Sequence, residues 1–189
     1  MKQEANYFAE LCRAMEWLAE DKSVIFIGQG VGASGTSMTD TFRNIPERKR
    51  LEFPVAEDFQ MGFATGMSLG GLLPICIFPR WDFLLLAANQ LVLHLDRLPL
   101  FSDYNPKVII RVAVPHTKPL NAGPQHDDDF TEAFRLMLRT VDVVTLDTAN
   151  AIVPAYQSAL YSSRSTLLVE YTGLYGVIPS NVKVETERV

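Results

Sequence analysis

The sequence predicts an α/β protein built on a mostly parallel sheet with helices on both faces. Apolar runs of strand length alternate with helical stretches along almost the whole chain, the pattern of repeated strand–helix–strand units. The runs SVIFIG, PICIF and KVIIRVAV are largely apolar without alternation, as expected of strands buried on both faces. Glycine, asparagine and proline punctuate the connections between them.

The first helix is expected from about Glu4 to Ala19, because Phe8, Leu11, Cys12, Met15, Leu18 and Ala19 recur at spacings of three and four. SVIFIG is the first strand, and the glycine-rich loop from Gly28 to Ser37 comes after it. The next stretch, MTDTFRNIPERKR, is polar and broken by Pro46, and LEFPV is a second short strand. A helix then opens at Glu57 and closes on Gly70-Gly71, leading into PICIF. From Trp81, the residues Leu84, Leu85, Ala88, Leu91, Val92 and Leu95 form one stripe, which predicts a single helix ending before Leu98-Pro99. KVIIRVAV is the next strand. FTEAFRLML reads as helix, VDVVTL as strand, ANAIVPAYQSALYS as a helix interrupted at Pro154, and TLLVEY as strand. Residues 1–176 are expected to form one domain, and 177–189 a polar tail without periodicity.

Composition narrows the function classes. The 189 residues are 48% hydrophobic and 21% charged, and the net charge of -5 provides no basic field for nucleic acid or anionic membrane. Two cysteines, Cys12 and Cys76, both fall in apolar patterns and not in a disulfide frame, which fits a reducing cytoplasm. The amino-terminal MKQEANYFAE lacks the apolar core of a signal peptide. The uncharged run from Phe59 to Pro79 is long, yet its glycines, Gln60 and Pro74 argue for helix, turn and strand and against a membrane span.

The stretch EDFQMGFATGMSLGGLLPICIF organises the rest. Glu57 and Asp58 are the acids at its start, and the helix behind them is uncharged. An acid in a first turn can serve the unsatisfied backbone N–H groups there, or it can serve chemistry. Gly62, Gly66 and Gly70 share one helix face, although glycine inside a helix costs about 1 kcal/mol relative to alanine. A face kept bare at that cost suggests close approach by another backbone or a ligand.

Two loops also stand out. Gly28, Gly30 and Ala33 resemble a dinucleotide fingerprint, with Glu52 at the distance of a ribose-binding acid. A nicotinamide dinucleotide-binding protein is therefore an alternative, weakened by the lack of an apolar helix after the loop. VPHTKPLNAGPQHDDD, residues 114–129, is long for a loop in a compact domain, and such loops tend to be functional. Its two histidines, His116 and His126, lack zinc-type spacing, and its three acids are expected to cap the next helix.

The order of these motifs resembles the pyrimidine-binding domain of thiamine-diphosphate enzymes. PVAEDFQMGFATGMSLGGLLPICIF, PRWDFLLLAANQ, GPQH and LLVEYTGLYG carry the resemblance over about Tyr7 to Gly176. The beta subunits of 2-oxo acid dehydrogenases are the most similar members, and GPQH also resembles transketolase. The resemblance implies that Glu57 hydrogen-bonds a ring nitrogen of the aminopyrimidine, which requires a shielded carboxyl able to hold a proton. It implies that Phe83 packs on the pyrimidine ring, and that His126 faces the reacting substrate as donor or proton shuttle. Gln29 lies near the cofactor by position, where dehydrogenase beta subunits usually carry an acid. An amide there can hydrogen-bond but cannot accept a proton.

The diphosphate and metal site of the family needs a GDG motif with an asparagine downstream, and no GDG occurs in these 189 residues. The resemblance then implies a separate diphosphate-binding subunit holding Mg2+, assembled with this chain as an α2β2 heterotetramer. The expected reaction is decarboxylation of a 2-oxo acid with transfer, or ketol transfer on a sugar. A non-catalytic scaffold subunit that retains the fold is the other alternative.

Overall fold

The computed structural model describes residues 5–33, 38–116 and 123–176. Six strands form one fully parallel sheet: β1 (Val24–Gly28), β2 (Arg50–Glu52), β3 (Leu73–Phe78), β4 (Ile109–Val114), β5 (Asp142–Thr145) and β6 (Thr166–Tyr171), in the order β2-β1-β3-β4-β6-β5. The predicted α/β architecture is the observed one. β3 is buried at every position, which explains why its sequence does not alternate.

Two layers of helix cover the sheet. On one face lie α1 (Tyr7–Glu20) and α6 (Ala149–Tyr161), where Leu11, Met15, Leu18, Ile152 and Tyr156 pack on Phe26, Ile75, Ile109 and Leu168. On the other lie α2 (Glu57–Leu69), α3 (Trp81–Leu86) and α5 (Thr131–Met137), where Met61, Ala64, Trp81, Leu84 and Phe134 pack on Ile27, Cys76, Ile110 and Val169. Among the described residues no helix is long and apolar enough to cross a membrane. Cys12 and Cys76 are both buried and free, and burial pushes the Cys76 thiol up to about 12.

Several boundaries differ from the expected ones for identifiable reasons. α1 begins at Tyr7 because the Asn6 side chain accepts from the Ala9 N–H at 3.0 Å and caps it. The second strand is only Arg50–Glu52, on the sheet edge, and does not reach Phe53 to Val55. α6 runs unbroken through Pro154, which points to solvent, where water can serve the carbonyl left without a donor. The single helix expected from Trp81 is two pieces, α3 and a π-helical turn over Gln90–Leu95, and beyond its expected end a further short helix, α4 (Leu98–Phe101), carries proline in its first turn. The wider turn is closed by the Asp96 N–H donating to the Leu91 carbonyl at 2.9 Å. It leaves Asp96 fully buried, with one carboxylate oxygen accepting from the N–H groups of Arg139, Thr140 and Val141 at 2.7–3.0 Å. The expected tail, 177–189, lies outside the described residues.

Candidate functional site

The parallel sheet puts every strand-to-helix loop at its carboxyl edge. The chain leaves β1 toward β2 on one side and later adds β3 on the other, so the β1/β3 boundary is a switch point, where open α/β sheets form their crevice. Four neighbouring strands, β2, β1, β3 and β4, deliver the residues singled out in the sequence. Gln29 comes after β1, Glu57 after β2 and Phe83 after β3, and His126 lies in the connection after β4.

Glu57 is the first residue of α2 and is only 9% exposed. Ala56 is the helix N-cap and makes no side-chain cap bond, and among the described residues no hydrogen bond to the Glu57 carboxylate is found. Glu57 therefore does not cap its helix by hydrogen bonding; what remains of that role is the attraction of its charge to the helix N-terminus. Its carboxylate oxygens are not among the buried atoms left without a partner, so they open on the crevice and are not sealed beneath it. Its place is fixed one turn on by Gln60, 2% exposed, whose Nε2 donates to the Ile77 carbonyl at 2.9 Å and to Cys76 Sγ at 3.4 Å. The helix mouth is thus bolted to the end of β3. Sequence reasoning does not single out Gln60, although a signal for it exists: a polar side chain three positions after Glu57 lies on the same buried stripe.

Phe83 and His126 come together from different elements. Their rings stand 5.7 Å apart at an angle of 55°. The loop of His126 is held by its own N–H donating to the Gly123 carbonyl at 2.9 Å and by Arg80 Nη1 donating to the His126 carbonyl at 3.2 Å. Nδ1 of His126 is buried without a hydrogen-bond partner among the described residues. Behind this pair Trp81 is fully buried and meets Phe130 edge-on at 6.5 Å and Phe134 at 5.0 Å, which seats the loop on α3. Of the three acids expected to cap α5, only Asp129 engages it. Its carboxylate accepts from the Thr131 N–H at 2.9 Å and from the Thr131 hydroxyl at 2.5 Å, while Asp127 and Asp128 face solvent.

Gln29 is exposed at the end of β1. The loop beyond it corrects the dinucleotide reading. Both oxygens of Glu52 are taken by the loop itself, accepting from the Gly30 and Gly32 N–H groups at 2.6 Å each. A carboxylate thus occupies donors that a pyrophosphate would require, and the acid expected on a ribose is spent. The next described element is a 3-10 turn, Thr39–Phe42, and not a helix aimed at the loop. Gly28 is there for packing: a Cβ on it would lie 2.7 Å from the Ile77 carbonyl oxygen.

The bare face of α2 divides into three cases. A Cβ on Gly62 would press on Gln90 Oε1 at 3.2 Å, so this glycine makes room for the π-helical turn. Gly70 is the helix C-cap. Gly66 has nothing within 4 Å of where its Cβ would be, and it opens on a groove of about 430 Å3 lined by Asp58, Phe59, Gly62, Phe63, Met67 and Gln90. Phe59 and Phe63 are 60% and 40% exposed beside this groove. No group of three or more metal-ligating side chains is found among the described residues.

Comparison with known proteins matches residues 8–177 to the transketolase pyrimidine-binding domain. The beta subunit of the pyruvate dehydrogenase E1 component from Gracilaria tenuistipitata var. liui is 27% identical over 165 residues, covering 86% of this chain and 51% of that protein. The same subunit from Cyanidium caldarium is 28% identical over 167 residues, covering 86% and 50%. This chain therefore spans about half the length of the curated relatives it matches. A split-gene transketolase, solved as an inactive tetramer of beta chains, superposes with a TM-score of 0.70 at 16% identity, covering 89% of this chain and 52% of that one. Transketolase from Campylobacter jejuni subsp. jejuni superposes at 0.67 with 17% identity, covering 88% and 26%. The chain belongs to the transketolase pyrimidine-binding domain family, part of the thiamine-diphosphate-dependent enzymes.

Proposed function

We propose that this chain supplies the pyrimidine-binding half of the active site of a thiamine-diphosphate enzyme that makes or breaks a carbon–carbon bond next to a carbonyl. The other half, with Mg2+, comes from a separate diphosphate-binding subunit in an α2β2 assembly. Decarboxylation of a 2-oxo acid with transfer is the preferred reaction, with ketol transfer on a sugar close behind. The observation that carries this reading is Glu57: a residue only 9% exposed, its carboxylate without a hydrogen-bond partner among the described residues, on a helix bolted by Gln60 to the carboxyl edge at the switch point.

When bound, thiamine diphosphate supplies the electron sink for a carbanion next to the carbonyl. This chain's residues do the rest from one side. Glu57 holds a proton at the ring nitrogen of the aminopyrimidine, its carboxylate being left unengaged by the described residues of the chain. Phe83 offers a flat apolar face to the ring and keeps it in one orientation. His126 donates toward the carbonyl oxygen of the substrate as charge gathers there; its seat against Phe83 and the Arg80 bond to its main chain fix where that charge is met. Gln29 donates or accepts a hydrogen bond but holds no labile proton, so acid–base work falls to the other side chains.

The groove at Gly66, with Phe59 and Phe63 beside it, supports a partner chain on the α2 face. The inactive beta-chain tetramer of the split-gene transketolase supports the same view, that this half does not work alone. The test is reconstitution: the isolated chain should bind thiamine diphosphate weakly and turn over no 2-oxo acid or ketose, and activity should appear on mixing with the diphosphate-binding subunit. A tight complex without turnover on any of these substrates would favour the scaffold instead.

A further inference from the structure

Arg80 has no part in the chemistry above beyond its bond to the His126 main chain. It is the extended residue between β3 and α3, half-buried, and Nη1 donates to the His126 carbonyl at 3.2 Å. Among the described residues it makes no other hydrogen bond, and no carboxylate lies within 4.0 Å of it. Most of the guanidinium fork is therefore free.

Arg111 is paired with Glu170, and Arg97 lies beside Asp96 and donates to the Met137 carbonyl. Half-buried Arg50 also lacks a carboxylate partner among the described residues and donates to the Val31 carbonyl at 3.4 Å, so what distinguishes Arg80 is its place beside His126. The acids nearest Arg80 in sequence and in the adjoining loop do not neutralise it. Asp129 is bound to Thr131, Asp127 and Asp128 point to solvent, and one Asp82 oxygen is buried without a partner. A half-desolvated cation without a counter-charge is unfavourable unless something fills the place. It stands, moreover, in contact with the residue whose ring packs on Phe83, and its planar fork matches a carboxylate or a phosphate.

We propose that Arg80 binds an anionic group of the substrate, a carboxylate or a phosphate, at the end remote from the reacting carbonyl. The guanidinium sits at the main-chain carbonyl of His126 and not on its ring, so the charge it holds lies away from the atom the imidazole serves. The substrate class is thereby narrowed to dicarboxylic 2-oxo acids or phosphorylated ketoses. This rests on the functional reading above, because it takes Phe83 and His126 to face cofactor and substrate.

The test uses the reconstituted pair and matched substrates: 2-oxoglutarate against 2-oxopentanoate, and fructose 6-phosphate against fructose. In the class that is turned over, the native pair should prefer the charged member. In Arg80→Gln the ratio of kcat/KM, charged over neutral, should fall roughly 10- to 100-fold, the range for loss of hydrogen bonds to a charged group. Arg80→Lys should keep part of the preference. A native pair without preference, or a ratio unchanged in Arg80→Gln, overturns the assignment, and the two substrate classes distinguish carboxylate from phosphate.

If none of the four is turned over, the subsite is judged by binding, which does not depend on the functional reading. Inorganic phosphate and acetate are titrated into the 189-residue chain at constant ionic strength, with the His126 ring protons monitored by NMR. Saturation in the native chain that is lost in Arg80→Gln supports the subsite. The same unsaturated response in both overturns it.

Discussion

The two faces of the sheet are finished differently. The α1/α6 face is closed around a buried ion pair: Arg111 on β4 and Glu170 on β6 are both fully buried, with their side chains 2.8 and 3.0 Å apart at two points. Arg111 also donates to the Thr41 hydroxyl at 2.7 Å and lies over the Phe42 ring, while Glu170 accepts from the Tyr175 hydroxyl. Tyr7 joins α1 to the same sheet end, donating to the Leu146 carbonyl at 2.7 Å and accepting from the Tyr171 N–H at 3.1 Å. Among the exposed large apolar side chains, only Tyr161 belongs to α1 or α6. The α2/α3 face instead leaves Phe59, Phe63, Leu69, Leu85 and Leu86 at least 40% exposed. One face has its partners within the chain, and the other leaves apolar side chains uncovered, where the proposed partner would dock. Stability should therefore be concentrated on the first and association on the second.

The sharpest way to break this contrast is to unpair the closed face. Glu170→Gln leaves the Arg111 charge buried and should cost about 3–5 kcal/mol, the usual cost of removing one partner of a buried pair. Urea unfolding of the isolated chain would measure it, and Arg111→Met combined with Glu170→Leu should recover most of the loss. On the open face, Phe59→Ser and Phe63→Ser should change the stability of the isolated chain by no more than about 1 kcal/mol, as expected away from a packed core. Both should weaken assembly with the diphosphate-binding subunit, as read by analytical ultracentrifugation. Gly66→Ala is finer still. No described residue opposes the added methyl, so the isolated chain should gain up to about 1 kcal/mol in helix stability while assembly weakens.

The mildest probe is pH. Burial pushes the phenols of Tyr7, Tyr156 and Tyr175 above their ordinary value, and the Glu170 carboxylate adds to it in each. Groups whose folded pKa exceeds the unfolded one stabilise the fold fully below the unfolded value, about 10, and lose that contribution as pH rises beyond it. Unfolding above pH 10 should coincide with the rise of tyrosinate absorbance. Ionisation of these three tyrosines before unfolding would contradict their burial.

Much of the fold was legible because buried parallel strands leave apolar runs that end in glycine or turn residues. The illegible parts share a cause: apolar stripes report burial, not hydrogen-bond register. The stripe from Leu84 to Leu95 is continuous across a π-helical turn, and Pro154 reads as a break although its ring faces solvent. The ion pair was hidden in plain runs, KVIIRVAV and TLLVEY, yet a charge inside a strand buried on both faces must find its counter-charge. In the site, Glu57, Phe83 and His126 stood out by motif. Gln60 and Arg80 did not, since their importance lies in contacts with Ile77 and His126, which sequence spacing alone does not encode.

The central claim is that Glu57 is kept buried and unpartnered in order to meet a cofactor rather than to serve its own helix. Glu57→Gln in the reconstituted pair tests it most directly, because the amide keeps the size and loses the labile proton. The predicted result is a loss of at least about 100-fold in kcat, the range of an acid–base contribution, with assembly unchanged by analytical ultracentrifugation. Full activity in Glu57→Gln would contradict it.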